Sequence, residues 1–213
     1  MPHRVSDGTD DFARKLFAGE CKFVAGAASI EALPPSKLPE IAFVGRSNVG
    51  KSSLINALVN RRKLARVSRT PGRTRQINLF RLRDSLMIAD LPGYGFAKIS
   101  KAEMEAWNRL ISAYLATRKS LRRVLLLLDA RRGVVEADRQ VMPLLDQAAI
   151  AYQALLTKAD AVTKSELENV LHAAVLEIQS HPAALADVLA TSVETGAGIA
   201  ELRVRLAELA VHG

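Results

Sequence analysis

Gly45-Arg46-Ser47-Asn48-Val49-Gly50-Lys51-Ser52, with Ser53 behind it, has the spacing G-x-x-x-x-G-K-S. Glycine at both ends lets backbone N–H groups turn inward around phosphate oxygens. A helix expected from Lys51 onward would aim the positive end of its dipole at the same place. In this pattern Lys51 reaches the terminal phosphates of a nucleotide and the Ser52 hydroxyl suits a Mg²⁺ ion. The motif alone separates neither ATP from GTP nor a switch from a kinase or a motor.

Further along, Asp90-Leu91-Pro92-Gly93 closes a short apolar run. A carboxylate there can hold the Mg²⁺ shell through a water, and the Gly93 N–H can sense a γ-phosphate. Thr157-Lys158-Ala159-Asp160 follows another apolar run and resembles the N/T-K-x-D guanine motif. One carboxylate, Asp160, can accept from both the ring N1–H and the exocyclic amine of guanine. Adenine has neither donor, so it would leave that carboxylate unpaired. Lys158 would lay its stem over the base. Thr191-Ser192-Val193 stands where a last base-contacting loop would lie.

These loops need a frame. Apolar runs at Ile41–Val44, Leu86–Ala89, Val124–Leu128, Tyr152–Leu156 and Val188–Thr191, with the alternating Gln76–Arg83, predict six strands. Helical spacing predicts helices over Lys51–Asn60, Lys101–Lys119, Glu136–Ala149 (with Pro143 inside it), Lys164–Ser180 and Ile199–Val211. Strand and helix in alternation imply an α/β fold, a mostly parallel sheet with helices on both faces. Residues 22–27 could add a short edge strand, and the proline-rich Leu33–Pro39 reads as a connector. Residues 1–21, polar and mixed in charge, read as a flexible N-terminal segment before a single domain over 22–213.

With 213 residues, 49% hydrophobic and 24% charged, the chain has the composition of a globular domain. The lone cysteine, Cys21, allows no internal disulfide, and no apolar run approaches a membrane span, so a cytoplasmic protein is expected. The net charge of +8 is unevenly spread. Residues 165–213 hold two basic and seven acidic side chains. Residues 61–83 hold nine basic ones (Arg61, Arg62, Lys63, Arg66, Arg69, Arg73, Arg75, Arg81, Arg83) and no acid. A field of that sign favours a polyanion such as nucleic acid.

In their order the motifs resemble a translation-factor-class GTPase, and above all the EngB-type family of small ribosome-assembly GTPases. The resemblance rests on Leu38 to Asn56, on Thr70-Pro71-Gly72-Arg73-Thr74 and on Asp90-Leu91-Pro92-Gly93-Tyr94-Gly95-Phe96-Ala97. It covers about residues 22–210. It implies a three-layer Ras-like fold with Gln76–Arg83 as the antiparallel edge strand, and GTP or GDP held by the motif loops, with Gly72, Arg73 and Thr74 added. Thr74 would complete the Mg²⁺ shell beside Ser52 and Asp90, the last through water. Lys51, Thr74 and Gly93 would carry catalysis, and Asn48 would help to bind K⁺. The resemblance also implies action in maturation of the large ribosomal subunit, with a consequent role in cell division; a monomer that meets the subunit through the basic 61–83 region is expected. The alternative is a GTP-dependent protein-binding module without RNA contact. Two departures stand out. Ala161 replaces the lysine that usually follows the guanine-motif Asp, and Thr191-Ser192 replaces a serine pair. Tyr94 holds the place where many GTPases carry a water-orienting glutamine, which predicts slow intrinsic hydrolysis.

Overall fold

The computed structural model describes residues 7–65, 76–95 and 100–211. Its elements run α1 (Asp7–Ala18), β1 (Cys21–Ala27), β2 (Glu40–Gly45), α2 (Lys51–Leu58), β3 (Ile77–Leu82), β4 (Leu86–Asp90), α3 (Lys101–Thr117), β5 (Leu121–Asp129), α4 (Glu136–Arg139), α5 (Met142–Gln147), β6 (Tyr152–Thr157), α6 (Lys164–Ile178), β7 (Leu189–Ala190) and α7 (Ile199–Val211). The strands form one sheet in the order β1-β3-β4-β2-β5-β6-β7. Every pairing is parallel except those of β3 with β1 and with β4.

The sheet therefore has seven strands where the apolar runs suggest six. β3 is antiparallel as expected but does not form the edge, because β1 covers it. Between Phe23 and Ala25 the β1–β3 register slips, leaving Val24 as a bulge.

Alternate residues of the central strands face opposite ways, although their sequences read as unbroken apolar runs. On one face Ile41, Phe43, Leu125 and Leu127 pack against Leu54, Ile55 and Leu58 of α2 and Leu202 and Leu206 of α7. On the other, Ala42, Val44, Leu126 and Leu128 meet Ile111 and Tyr114 of α3, Met142 and Leu145 of α5, and Ile178 of α6. This is a three-layer α/β fold.

Two expectations need correction. Residues 7–18 are not a flexible segment: they form α1, and Ala13, Leu16 and Phe17 are buried in the core beside α7 residues. Their i, i+3, i+4 spacing makes one apolar stripe, which the surrounding charges mask in a composition count. The helix expected over Glu136–Ala149 divides into α4 and α5, with Pro143 in the first turn of α5, where its missing N–H is tolerated. Among the described residues no helix is long and apolar enough to cross a membrane.

Candidate functional site

The parallel strands β2, β4, β5 and β6 end on one side of the sheet, and the motif loops leave from those ends. Ligands of open α/β sheets bind outside the carboxyl ends of strands. The loop 45–50 turns from β2 into α2, whose helix begins at Gly50–Lys51. Gly50 has φ 104°, a conformation that side chains resist, so a glycine is required at the N-cap. Lys51 is mostly buried and paired with Asp90, which is 3% exposed at the end of β4.

The loop after β4 lies against the first loop. A methyl group on Gly93 would meet Ser47 Oγ at 3.1 Å and the Ser47 nitrogen at 3.3 Å, so only glycine fits there without movement. The Ser47 N–H donates to the Tyr94 carbonyl at 3.0 Å, and Tyr94 N–H to the Gly45 carbonyl at 3.4 Å. The second loop is thus tied to the first through its backbone. Its side chains are anchored outward. The Tyr94 hydroxyl donates to Asp138 at 2.7 Å, its ring lies edge-on to Trp107 at 5.5 Å, and Trp107 Nε1 donates to the Pro92 carbonyl at 2.8 Å. Burial raises the Asp138 carboxyl above its ordinary value, while the Tyr94 hydroxyl and the Val135 N–H pull the other way. Arg46 Nε lies buried beside this network without a hydrogen-bond acceptor among the described residues.

The guanine-type loop is fastened to the phosphate-type loop. The Thr157 hydroxyl reaches the Val49 carbonyl at 2.6 Å and the Leu128 carbonyl at 3.0 Å. Lys158 Nζ donates to the Asn48 carbonyl at 2.7 Å and to Asp129 at 2.9 Å. Asn48 and Lys158 both take positive φ, 63° and 58°. That conformation costs a non-glycine residue about 1–2 kcal/mol and tends to survive where surrounding bonds enforce it. Burial pushes the Asp129 carboxyl up, but bonds from Arg131 and Lys158 outweigh it and hold the group well below the usual carboxylate range. Asp160 is exposed at the mouth of the site. The buried Ser192 hydroxyl donates to it at 2.5 Å and so orients it, while the Ala159 N–H donates to the Thr191 carbonyl at 3.1 Å. Val193, 40% exposed, lies next to that pair in the chain. A capping box between Thr163 and Glu166 starts α6 directly behind the loop.

The structure therefore brings together Gly45 to Ser53, Asp90 to Gly93, Thr157 to Asp160 and Thr191 to Val193. Gly72, Arg73 and Thr74 fall outside the described residues, as do Arg66, Arg69, Arg75 and Phe96. Sequence reasoning missed Asp129, the carboxylate that holds Lys158, and Asp138, the anchor of Tyr94. Asp129 had a visible signal: like Asp90, it ends a buried parallel strand.

Ser52 and Asp90 offer the hard oxygen donors that Mg²⁺ prefers. Among the described residues no three His, Cys, Asp or Glu side chains gather as a metal site. A Mg²⁺ here would take most of its shell from phosphate oxygens and water, as this ion usually does. The residues fit it on those terms.

Residues 40–158 match the model of a family described as 50S ribosome-binding GTPase. A probable GTP-binding protein EngB of Rhodospirillum rubrum is 54% identical over 92% of this chain and 87% of its own. A second, of Gluconobacter oxydans, is 51% identical over 99% of this chain and 93% of its own. The crystal structure of a probable GTP-binding protein engB superposes with a TM-score of 0.65 at 25% identity, covering 82% of this chain and all of the other. Era, solved with MgGDPNP and nucleotides 1506–1542 of 16S ribosomal RNA, shares the fold with a TM-score of 0.64 at 23% identity, over 84% of this chain and 59% of its own.

Proposed function

This chain belongs to the EngB family of GTP-binding proteins, P-loop enzymes that hydrolyse GTP, and on that premise we propose that it is a switch in assembly of the large ribosomal subunit. Normal cell division would then depend on it through ribosome supply. The observation that carries the nucleotide part is the fastening of the guanine loop onto the phosphate loop through Thr157 and Lys158. A nucleotide spanning both loops would find base and phosphates registered to each other. The ribosomal part is supported by the matched family and by the basic run at 61–83.

Hydrolysis needs positioning and neutral charge more than covalent chemistry. The amides of 45–51 and the α2 N-terminus would cradle the phosphates. Lys51 would turn from Asp90 to the β- and γ-phosphates, and the Gly93 N–H would hold the γ-phosphate. Mg²⁺, held by Ser52 and Thr74 with Asp90 behind a water, would supply further charge neutralisation. Tyr94 cannot orient water as a glutamine does, and it points instead into Asp138. Slow turnover by the isolated protein is the expected outcome of single-turnover kinetics. Asn48 is exposed in the phosphate loop, free to help hold K⁺ in the place of an arginine finger. Hydrolysis should then be faster in K⁺ than in Na⁺, and equal rates would remove the ion from the scheme.

The ribosomal reading is tested by co-sedimentation with each ribosomal subunit, using a non-hydrolysable GTP analogue, GDP and no nucleotide at two salt concentrations. Binding to the large subunit with the analogue alone, weakened by salt, is expected. No binding in any state would leave a GTPase whose partner is a protein.

A further inference from the structure

Asp129, the last residue of β5, is buried, and both of its carboxylate oxygens are in use. Oδ1 accepts from the Arg131 backbone N–H at 3.1 Å and from Arg131 Nε at 2.8 Å. Oδ2 accepts from Arg131 Nη2 at 2.7 Å and from Lys158 Nζ at 2.9 Å. Arg131 thus grips the carboxylate with the two prongs of its guanidinium, a geometry that fixes the carboxylate plane. Lys158 lies 29 residues further along the chain, and its ammonium is held twice, by Asp129 and by the Asn48 carbonyl at 2.7 Å. Lys158 and Asn48 both take the left-handed conformation, at φ 58° and 63°. Asparagine tolerates it, whereas for a lysine it is uncommon. The Asp129–Lys158–Asn48 chain therefore runs from the end of β5 through the guanine-type loop into the phosphate loop.

We infer that Asp129 is a positioning residue for the guanine nucleotide: through Lys158 it sets the spacing of the base-holding loop and the phosphate loop before the nucleotide enters. The inference rests on the nucleotide site described above and is independent of the ribosomal reading. A site that its ligand must first assemble loses part of the binding energy to ordering, so the effect belongs in affinity. Asp129 meets the phosphate loop at Asn48, by way of Lys158, and not at Lys51 or Gly93. GDP and GTP should therefore depend on it alike, and the hydrolysis of bound GTP should not. The competing account is that Asp129 only shapes the turn after β5. Its carbonyl accepts from the Arg132 and Gly133 N–H groups at 2.9 and 3.0 Å, and Gly133 has φ 62°. Those two bonds use backbone that any residue supplies, whereas the bond to Lys158 needs the carboxylate.

The test is a double-mutant cycle on the full chain, read by isothermal titration with GDP and with a non-hydrolysable GTP analogue. Single-turnover hydrolysis at saturating GTP is measured beside it. Asp129→Asn keeps the shape and removes the charge, and it should weaken both nucleotides roughly tenfold. The hydrolysis rate of bound GTP should stay within about twofold of wild type. Lys158→Met keeps an apolar stem for the base and removes the ammonium. Adding Asp129→Asn to it should weaken binding no further, whereas a role confined to the turn would keep its full cost in that background. Arg131→Met leaves the Asp129–Lys158 bond in place and should cost less than Asp129→Asn. If Asp129→Asn does not fold, the same cycle is run with Asp129→Glu, which keeps the charge but displaces it. Wild-type affinity in the Asp129 variant, additive losses in the cycle, an equal loss in Arg131→Met, or a loss confined to hydrolysis would overturn the inference. Lys158→Met separates that failure from a failure of the nucleotide-site reading. If it weakens binding while the Asp129 variant does not, the positioning role alone is refuted. If it too binds as wild type, the base is not held by this loop and both readings fall.

Discussion

Asp160 shows how much a single side chain can decide. Its carboxylate is exposed, yet the Ser192 hydroxyl fixes its direction. Guanine would offer it two donors, and an amide at this position could accept only one of them. Asp160→Asn should therefore weaken GTP binding by about 1.5–3 kcal/mol, roughly 10–10²-fold, the usual worth of the one charge-assisted bond lost. Isothermal titration with GTP and GDP measures this, and wild-type affinity in the variant would displace Asp160 from the base-reading role. Residues of this kind are legible in sequence because their chemistry is carried by local spacing. Asp129 and Asp138 are not, because each acts on a residue distant in the chain: Lys158 for the first, Tyr94 for the second. A strand-end carboxylate is a signal for Asp129. For Asp138, on the short helix α4, the sequence offers none.

At the scale of elements, the loop after β4 is held between the phosphate loop and the pair α3 and α4. The Tyr94–Asp138 bond is the tie to α4, and Trp107 is the tie to α3. Removing the Tyr94 hydroxyl leaves a buried carboxylate one donor short. Tyr94→Phe should cost about 1–3 kcal/mol at neutral pH, read by urea unfolding. The pH dependence has a definite sign. Burial raises the folded-state Asp138 value, so its ionisation weakens the fold as pH rises through that value and protonation relieves it as pH falls. The penalty of Tyr94→Phe should accordingly shrink on acidification. Trp107 is the single tryptophan of the chain, and its indole touches both Pro92 and Tyr94. Its emission should shift when a GTP analogue draws Gly93 toward the γ-phosphate. A constant spectrum at saturation would mean that the loop keeps its contacts in both states.

For the whole molecule, the parallel sheet and its two helical layers follow from apolar runs alternating with helical patterns, and that much is legible in the amino-acid sequence alone. The ends of the chain are less so. α1 closes one face against α7 because Ala13, Leu16 and Phe17 share a stripe, a pattern set among charged neighbours. On the other face a polar junction joins distant parts. Glu40 at the start of β2 is fully buried, accepts from the Tyr114 hydroxyl and takes a bidentate grip from Arg118, whose Nη1 also donates to the Pro34 carbonyl at 2.8 Å. This links the connector, the first strand of the site and the end of α3. A charge buried at 0% exposure depends on its partners, so Arg118→Ala should destabilise by about 3–5 kcal/mol, a large share of the ~5–15 kcal/mol that holds a typical domain. The desolvation of all three groups is itself unfavourable. A triple variant with Glu40→Leu, Tyr114→Phe and Arg118→Met should then recover most of that loss, because no charge remains to be left unpaired. Denaturant unfolding of the two variants decides the matter. Recovery in the triple variant identifies the loss in Arg118→Ala as the isolated Glu40 charge, and equal destabilisation of both would locate it in the Arg118–Pro34 bond to the connector.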